Sequence, residues 1–371
     1  MKWFGKYTLQ NVLERESESR FSVISTFAGC GGSSTGYRLA GGRVAAVNEF
    51  VSAAAEAYAT NYPSTPIVAA DIRSISGADL LRAAGVDRID IVDGSPPCSS
   101  FSTAGLRDAG WGREKKYSDT KQRTDDLFFE FARIVKDIQP LAFIAENVAG
   151  LGAGAAKGLL GSPEQLLWGD SDETFLGALR HAGYRIAHGI LDASMFGVGQ
   201  RRHRMIIVGA RRDIGIVPTL PRPEHEFVSL RDVLYDVKNT AQDIADADCS
   251  RYAIAGRLAI MPDATDRAIY GDEYGKGYFS LCLPAWGLPC PTITATAGVL
   301  SAASVVHPSR RKFTVPELIR IQGLPEDYYL GETYANRVER IGLSVPPPLM
   351  KAVAEHVFET VIKPARAKGL S

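Results

Sequence analysis

The chain has 371 residues, 45% hydrophobic and 23% charged, the composition of a globular protein with a sizeable core. No apolar run approaches the ~18 residues that span a bilayer, and Met1 to Arg20 lacks the apolar stretch of a signal peptide, so a cytoplasmic protein with no membrane partner is expected, nucleoid-associated in a prokaryote. The 42 basic residues balance 42 acidic ones, giving no overall pull toward nucleic acid, and the five cysteines form no CxxC pair that would mark a disulfide framework or a metal site.

From residue 21 to about 210, short apolar runs alternate with helix-like segments, which predicts an α/β fold with a mainly parallel sheet. Residues 21–27 read as the first strand, followed by a glycine turn at Gly29, Gly31 and Gly32. Residues 43–47 form a strand ending at Asn48-Glu49, 66–70 one ending at Asp71, and 89–92 one ending at Asp93-Gly94. An amphipathic helix over 124–138 carries Leu127, Phe131, Ile134, Val135 and Ile138 on one face. Strands follow at 141–145, ending at Glu146-Asn147, and at 185–190 and 205–208. Prolines 218, 221 and 223 then break the chain, and 217–302 is irregular. At Thr314 a capping box with Pro316 and a closing Gly323 marks a helix; a last helix after prolines 346–348 turns Leu349, Val353, Val357 and Val361 inward. The expected domains are 1–212 (catalytic), 213–335 (a smaller irregular domain) and 336–371 (a helix returning to the first).

Ligands of an open parallel sheet bind outside the carboxyl ends of its strands, so residues 29–32, Glu49, Asp71, Cys98 and Glu146 are expected on one rim. The turn Phe27-Ala28-Gly29-Cys30-Gly31-Gly32 lets a ligand approach the backbone, and taken alone it equally fits a bare connection. Glu49 suits ribose hydroxyls and Asp71 an adenine amino group, which together suggest a nucleoside cofactor. In Gly94-Ser95-Pro96-Pro97-Cys98 two prolines fix the direction of a thiol just past a strand end, a placement poorly explained by packing. The glycines at 105, 110 and 112 suggest a loop able to close over a substrate. Glu146, at the end of a buried strand, suits proton donation near neutral pH or simple capping. Before residue 205, alternation points Arg202 and Arg204 to one side, unless they form a solvated basic edge.

In this order the segments resemble the DNA (cytosine-5) methyltransferases over about residues 22–355. The resemblance rests on the glycine turn, Pro97-Cys98 with Phe101-Ser102, Glu146-Asn147-Val148, Gln200-x-Arg202-x-Arg204, Pro291-Thr292-Ile293-Thr294, Glu317 with Gln322 to Pro325, and Gly342-x-Ser344-Val345-Pro346. It implies a Rossmann-like class I methyltransferase sheet with a smaller target-recognition domain at about 213–310. It implies Cys98 as the nucleophile on carbon 6 of a flipped-out cytosine, Glu146 at ring nitrogen 3, and Arg204 with Arg202 holding the base. S-adenosylmethionine is the implied cofactor, held by Phe27, Ala28, Gly29, Gly31, Gly32, Glu49, Asp71, Ile72, Pro97, Leu127, Leu343, Ser344 and Val345. Ser102, Gln200, Arg251 and Lys276 are the implied contacts to double-stranded DNA, and Arg251, Arg257, Arg267 and Lys276 lie among Tyr252, Tyr270, Tyr274, Tyr278 and Trp286, which suit either DNA or a small core.

The chain departs from the family's pattern at Ser25-Thr26, at Ser99-Ser100 and at Leu343. The first and last leave a modified cofactor analogue open. A monomer is expected, with a cognate restriction endonuclease as a further partner and no metal. Rival readings are a tRNA cytosine-5 methyltransferase, a catalytically retired DNA-binding homologue and a nicotinamide-dependent dehydrogenase; the last leaves Pro97-Cys98 unexplained.

Overall fold

The computed structural model describes residues 6–97, 115–117, 120–122, 124, 126–149, 171, 174–223, 226–250, 252, 255–270, 281–298 and 304–370. They fall into two compact units: one of Leu13–Leu191, His203–Arg222 and Lys351–Ser371, the other of Met1–Val12, Asp192–Arg202 and Pro223–Met350.

In the larger unit the chain runs α1 (Leu9–Glu16, its first turn in the smaller unit), β1 (Phe21–Thr26), α2 (Gly32–Leu39), β2 (Gly42–Asn48), α3 (Ser52–Asn61), β3 (Ile67–Val68), α4 (Gly77–Ala84) and β4 (Ile91–Gly94). A hairpin of β5 (Lys115–Tyr117) and β6 (Thr120–Gln122) follows, then α5 (Leu127–Ile138), β7 (Ala142–Val148), α6 (Phe175–His181), β8 (Tyr184–Asp192) and β9 (His203–Arg211). Seven strands make one sheet in the order β3-β2-β1-β4-β7-β9-β8. β1 pairs parallel with β2 and β4, and β4 with β7; β9 runs antiparallel to β7. The mainly parallel α/β sheet expected from the alternating pattern is therefore present.

Period-two alternation sends Ile24, Val92, Phe143 and Ala145 to one face, where Leu80 of α4, Phe128 and Phe131 of α5 and Leu179 of α6 cover them. Phe131 meets Phe143 edge-on at 6.1 Å, and Phe143 meets Tyr184 at 5.2 Å. α5 approaches so closely that a Cβ on Gly94 would lie 2.4 Å from the Phe131 ring, so the strand leading to the Ser95-Pro96-Pro97 exit must end in glycine.

The smaller unit holds α7 (Leu230–Leu234), α8 (Ala241–Asp246), α9 (Ala255–Ile260), the two-residue strands β10 (Ile269–Tyr270) and β11 (Cys282–Leu283), α10 (Val315–Gln322) and α11 (Tyr334–Leu343). Its core gathers Cys249, Leu258, Met261, Ile269, Leu281, Leu283 and Val306. α10 has the expected capping box at Thr314 and Glu317 and ends at Gly323 with φ 74°. α12 (Pro347–Val357) continues through a π-helical turn, Phe358–Ile362, into α13 (Lys363–Ala367), and Leu349, Val353, Val357 and Val361 are fully buried as expected.

The units are interleaved where the sequence reading drew single cuts. Residue 212 lies inside the larger unit, because Arg212 N–H donates to the Gly183 carbonyl (2.8 Å) and Lys368 holds the Ile214 carbonyl (2.7 Å). Residues 192–202 belong to the smaller unit, where Gly199 N–H meets the Ile321 carbonyl (3.1 Å) and Arg201 N–H the Cys290 carbonyl (2.8 Å). No helix among the described residues is long and apolar enough to cross a membrane.

One buried cation ties the larger unit's layers. Arg38 of α2, without exposed surface, donates to Glu16 of α1 (2.8 Å), Tyr58 of α3 (3.2 Å) and Thr65 (2.7 Å), and stacks 3.8 Å from the Tyr62 ring centre. Removing one partner of such a pair leaves the other desolvated. Arg38→Met is expected to lower unfolding stability by about 3 kcal/mol in urea melts; an unchanged midpoint would show that the pair contributes nothing net.

Candidate active site

β1 ends at Thr26, and the chain turns into α2 through Phe27 (φ 53°), Gly29 (φ 56°) and Gly31 (φ 102°). Phe27 is the costly member, since a side-chain-bearing residue seldom adopts that backbone. A Cβ on Gly29 would meet no atom of the described residues within 4 Å, so none of them closes over the turn at that point. Glu49, at the end of β2, accepts Gly29 N–H and Val51 N–H, each at 2.7 Å, and so shapes the turn from beneath. Asp71 follows β3, which is shorter than expected; its carboxylate accepts from Arg73 Nη1 at 3.0 Å, and Arg73 also reaches Asp126. Ile72 is buried beside it, and Leu127 is buried at the start of α5. The Ser95 hydroxyl, just past β4, is buried with no hydrogen-bond partner among the described residues. An open glycine turn, carboxylates at two successive strand ends and an unspent hydroxyl are a donor set that fits a nucleoside cofactor.

Glu146 and Arg204 form the charged centre. Register opposes Val148 to Arg204 across β7 and β9, so Glu146 is the diagonal neighbour, and Arg204 Nε lies 2.7 Å from Glu146 Oε1. Both are nearly buried, with side-chain exposures of 12% and 9%. Burial pulls the Arg204 guanidinium below its ordinary value while Glu146 pushes it back up; an arginine remains charged throughout. Asn147 donates its side-chain amide to the Pro96 carbonyl at 2.9 Å, tying the end of β7 to the segment that enters residue 98.

A second acid lies one strand away. Asp93 of β4, 1% exposed, accepts from Ser25 Oγ at 2.6 Å and Tyr37 Oη at 2.9 Å. Burial raises its pKa to about 7 against these two donors, and the nearby charge of Glu146 adds to the rise. Sequence reading noted Asp93 only as a strand end; the available signal was an acid inside an apolar run. Ser25 and Thr26, whose hydroxyls both bond Asp93 (Thr26 to its carbonyl at 2.9 Å), are turned into the sheet.

Two expected site residues lie elsewhere. Arg202 precedes β9, so alternation does not pair it with Arg204. It is 1% exposed and its guanidinium holds the carbonyls of Ile293 (3.0 Å), Gly342 (2.7 Å) and Ser344 (3.0 Å), an internal brace of the smaller unit. Gln200, expected on DNA, is fully buried: it bonds Gln322 and accepts Ile293 N–H at 3.0 Å, which leaves it no surface to offer. Gln322 also donates to the Ser344 carbonyl at 2.7 Å, so four separate sequence motifs meet in one polar knot. Ser344 and Val345 are buried and Leu343 is exposed at the end of α11. Arg257, Arg267 and Tyr270 are exposed, whereas Trp286 packs edge-on against His307 at 5.2 Å. Cys98, Ser102, Arg251, Lys276, Tyr274, Tyr278 and the glycines at 105, 110 and 112 lie outside the described residues; the other four cysteines are buried.

The family model for C-5 cytosine-specific DNA methylase matches residues 21–359. The chain is 27% identical to type II methyltransferase M.NgoPII of Neisseria gonorrhoeae, over 91% of this chain and 96% of that protein. It is 30% identical to type II methyltransferase M.HindV of Haemophilus influenzae, over 93% and 99%. A protein encoded in an Escherichia coli prophage and described as a DNA modification methyltransferase shares the fold, with TM-score 0.68 and 20% identity over 92% of this chain and 99% of that one.

The buried acid gives a pH-dependent stability. Asp93 has a folded pKa of about 7, above its reference of 3.8, so the stability contributed by its neutral form is full below that reference and lost as pH rises through 7. Asn at this position keeps one of the two bonds as acceptor, makes the other with its amide donating to the hydroxyl oxygen, and never ionises. Denaturant melts should show Asp93→Asn gaining on the wild type by about 2–3 kcal/mol between about pH 5 and pH 8; parallel pH curves would contradict this placement of the charge.

Proposed function

The chain belongs to the C-5 cytosine-specific DNA methylases, and from that premise we propose that it methylates carbon 5 of a cytosine flipped out of a specific duplex DNA sequence, through a covalent bond between Cys98 and ring carbon 6. Carbon 5 is too weak a nucleophile to take a methyl group unaided. Addition of the Cys98 thiolate to carbon 6 pushes the ring electrons toward carbon 5, while Glu146 gives or shares a proton at nitrogen 3 and so absorbs the charge of addition. Arg204 orients Glu146 from 2.7 Å and offers its remaining N–H groups to the base oxygen. S-adenosylmethionine, when bound, supplies the electrophilic methyl group. Loss of the carbon-5 proton and then of the Cys98 sulfur restores the aromatic ring and returns the thiolate.

The observation that carries this reading is the pairing of Glu146 with Arg204 at the strand end that Asn147 ties to Pro96, two residues before Cys98. The turn at Phe27, Ala28, Gly29, Gly31 and Gly32, with Glu49, Asp71, Ile72, Pro97 and Leu127, is the part of the larger unit we assign to the cofactor. Because Ser25 and Thr26 spend their hydroxyls on Asp93, those departures do not alter the ligand side of the turn, and ordinary S-adenosylmethionine is the cofactor we assign. Ser102, Arg251 and Lys276 are the proposed DNA contacts. A monomer acting beside a cognate restriction endonuclease is the proposed setting.

Bisulfite sequencing of DNA from cells expressing the chain should return one recurrent protected cytosine context, lost on Cys98→Ala. Glu146→Gln should lower kcat by at least about a hundredfold with DNA binding kept. Undiminished turnover of Cys98→Ala sinks the mechanism, and transfer to tRNA with none to duplex DNA would replace the substrate.

A further inference from the structure

Arg73 has no part in the reaction above, yet it joins two pieces of the assigned cofactor wall. Asp71 and Ile72 come from the segment after β3, where Ile72–Ser74 winds into a short 3-10 turn with Asp71 as its cap. Leu127 comes from the start of α5. The Arg73 guanidinium links the two. Its Nη1 donates to both oxygens of Asp71 (3.2 and 3.0 Å), and its Nε and Nη2 donate to the two oxygens of Asp126, the residue before Leu127 (3.1 and 2.5 Å). The Arg73 backbone N–H gives Asp71 Oδ1 a further bond at 3.0 Å. Asp126 occupies the N-cap of α5 but makes no side-chain bond to that helix, the bond an aspartate there ordinarily makes. Its oxygens are turned to Arg73 instead. Arg133, further along α5, holds the Ile72 carbonyl at 2.7 Å, so the turn is latched to the helix at two points.

Stability does not account for this arrangement. The side chains of Arg73, Asp71 and Asp126 are 29%, 36% and 35% exposed, a setting in which ion pairs contribute little. What the fork supplies is geometry: a guanidinium gripped on one edge by Asp126 fixes the direction of the Asp71 carboxylate on the other. A carboxylate accepts hydrogen bonds and donates none, so one held in a fixed direction favours a base edge presenting an amine over one presenting a carbonyl. We propose that Arg73 is a specificity-determining positioning residue of the cofactor site, its fork between Asp126 and Asp71 fixing Asp71 as the acceptor that selects a 6-amino purine over a 6-oxo purine. This rests on the assignment of Asp71 to the cofactor's adenine; Arg73 and Asp126 act through Asp71 without touching the cofactor.

The test is calorimetric binding of S-adenosylhomocysteine and S-inosylhomocysteine, which differ at purine position 6, to the full chain and its variants. The wild type should prefer the adenosyl ligand by at least about tenfold, the share of a hydrogen bond to a charged group. Arg73→Gln should shrink that preference to about threefold or less, chiefly by weakening the adenosyl ligand. Arg73→Lys keeps the charge without the fork and should fall between the two; it decides the matter where Arg73→Gln fails to fold. A preference kept at the wild-type ratio, including the case in which both ligands weaken equally, overturns the role of Arg73; Asp71→Ala, which should abolish the preference, then shows whether the adenine assignment of Asp71 stands without it. Equal binding of the two ligands by the wild type overturns that assignment and this proposal together, while methyl transfer is judged separately by the bisulfite readout. Binding of neither ligand overturns the cofactor assignment itself.

Discussion

A thiol aimed at one ring atom and a carboxyl aimed at another can act on the same base only if two strand ends keep a fixed separation, since misplacement by an ångström costs most of the advantage of proximity. The parallel register of β4 and β7 sets the separation of those two strand ends, and the Asn147 side chain, donating to the Pro96 carbonyl at 2.9 Å, holds the chain as it leaves the sheet; the roles proposed for Cys98 and Glu146 depend on that constraint. Gly94 is dictated by the same constraint from below, because the Phe131 ring fills the space a side chain would need. The adjoining antiparallel pair β7 and β9 then brings Arg204 onto Glu146.

The polar interior is costly, and its two large buried cations are well supplied with acceptors. Arg38 in the larger unit and Arg202 in the smaller are each almost wholly buried and each spread over three acceptors. Such networks add little net stability over apolar packing, yet they admit few alternative arrangements. Asp93 differs, being a buried acid without a cation. Its cost is visible as a raised pKa, and that is where a functional explanation is needed most.

Local chemistry made much of this legible in the sequence. Alternation and strand-end polar residues located β1, β2, β4, β7 and β9 to within about three residues, and Thr314, Glu317 and Gly323 marked α10 at both ends. Glu146 and Arg204 were singled out because a buried strand end and a short basic run are local signals, and the register of β7 and β9 brings the two together at 2.7 Å. Arg202 and Gln200 were misplaced because their fates depend on partners such as Ile293, Gly342 and Gln322, some 90 to 140 residues away in the chain. The interleaving of 192–202 into the smaller unit has the same origin: its pairing with Cys290 and Ile321 leaves no trace in composition. Asp93 escaped because a strand end and a buried network look alike until Ser25 and Tyr37 are brought beside it.

The central claim is that Cys98 adds covalently to cytosine. Denaturing mass spectrometry of the full chain incubated with S-adenosylmethionine and duplex DNA carrying 5-fluorocytosine at the target tests it most directly, because fluorine cannot leave carbon 5 as a proton does and the adduct is trapped. The account predicts one stable protein–DNA species, mapped by peptide digestion to Cys98 and absent in Cys98→Ala. Methylated product from ordinary DNA with no trapped species on the fluorinated duplex, or an adduct mapped to another residue, would contradict it.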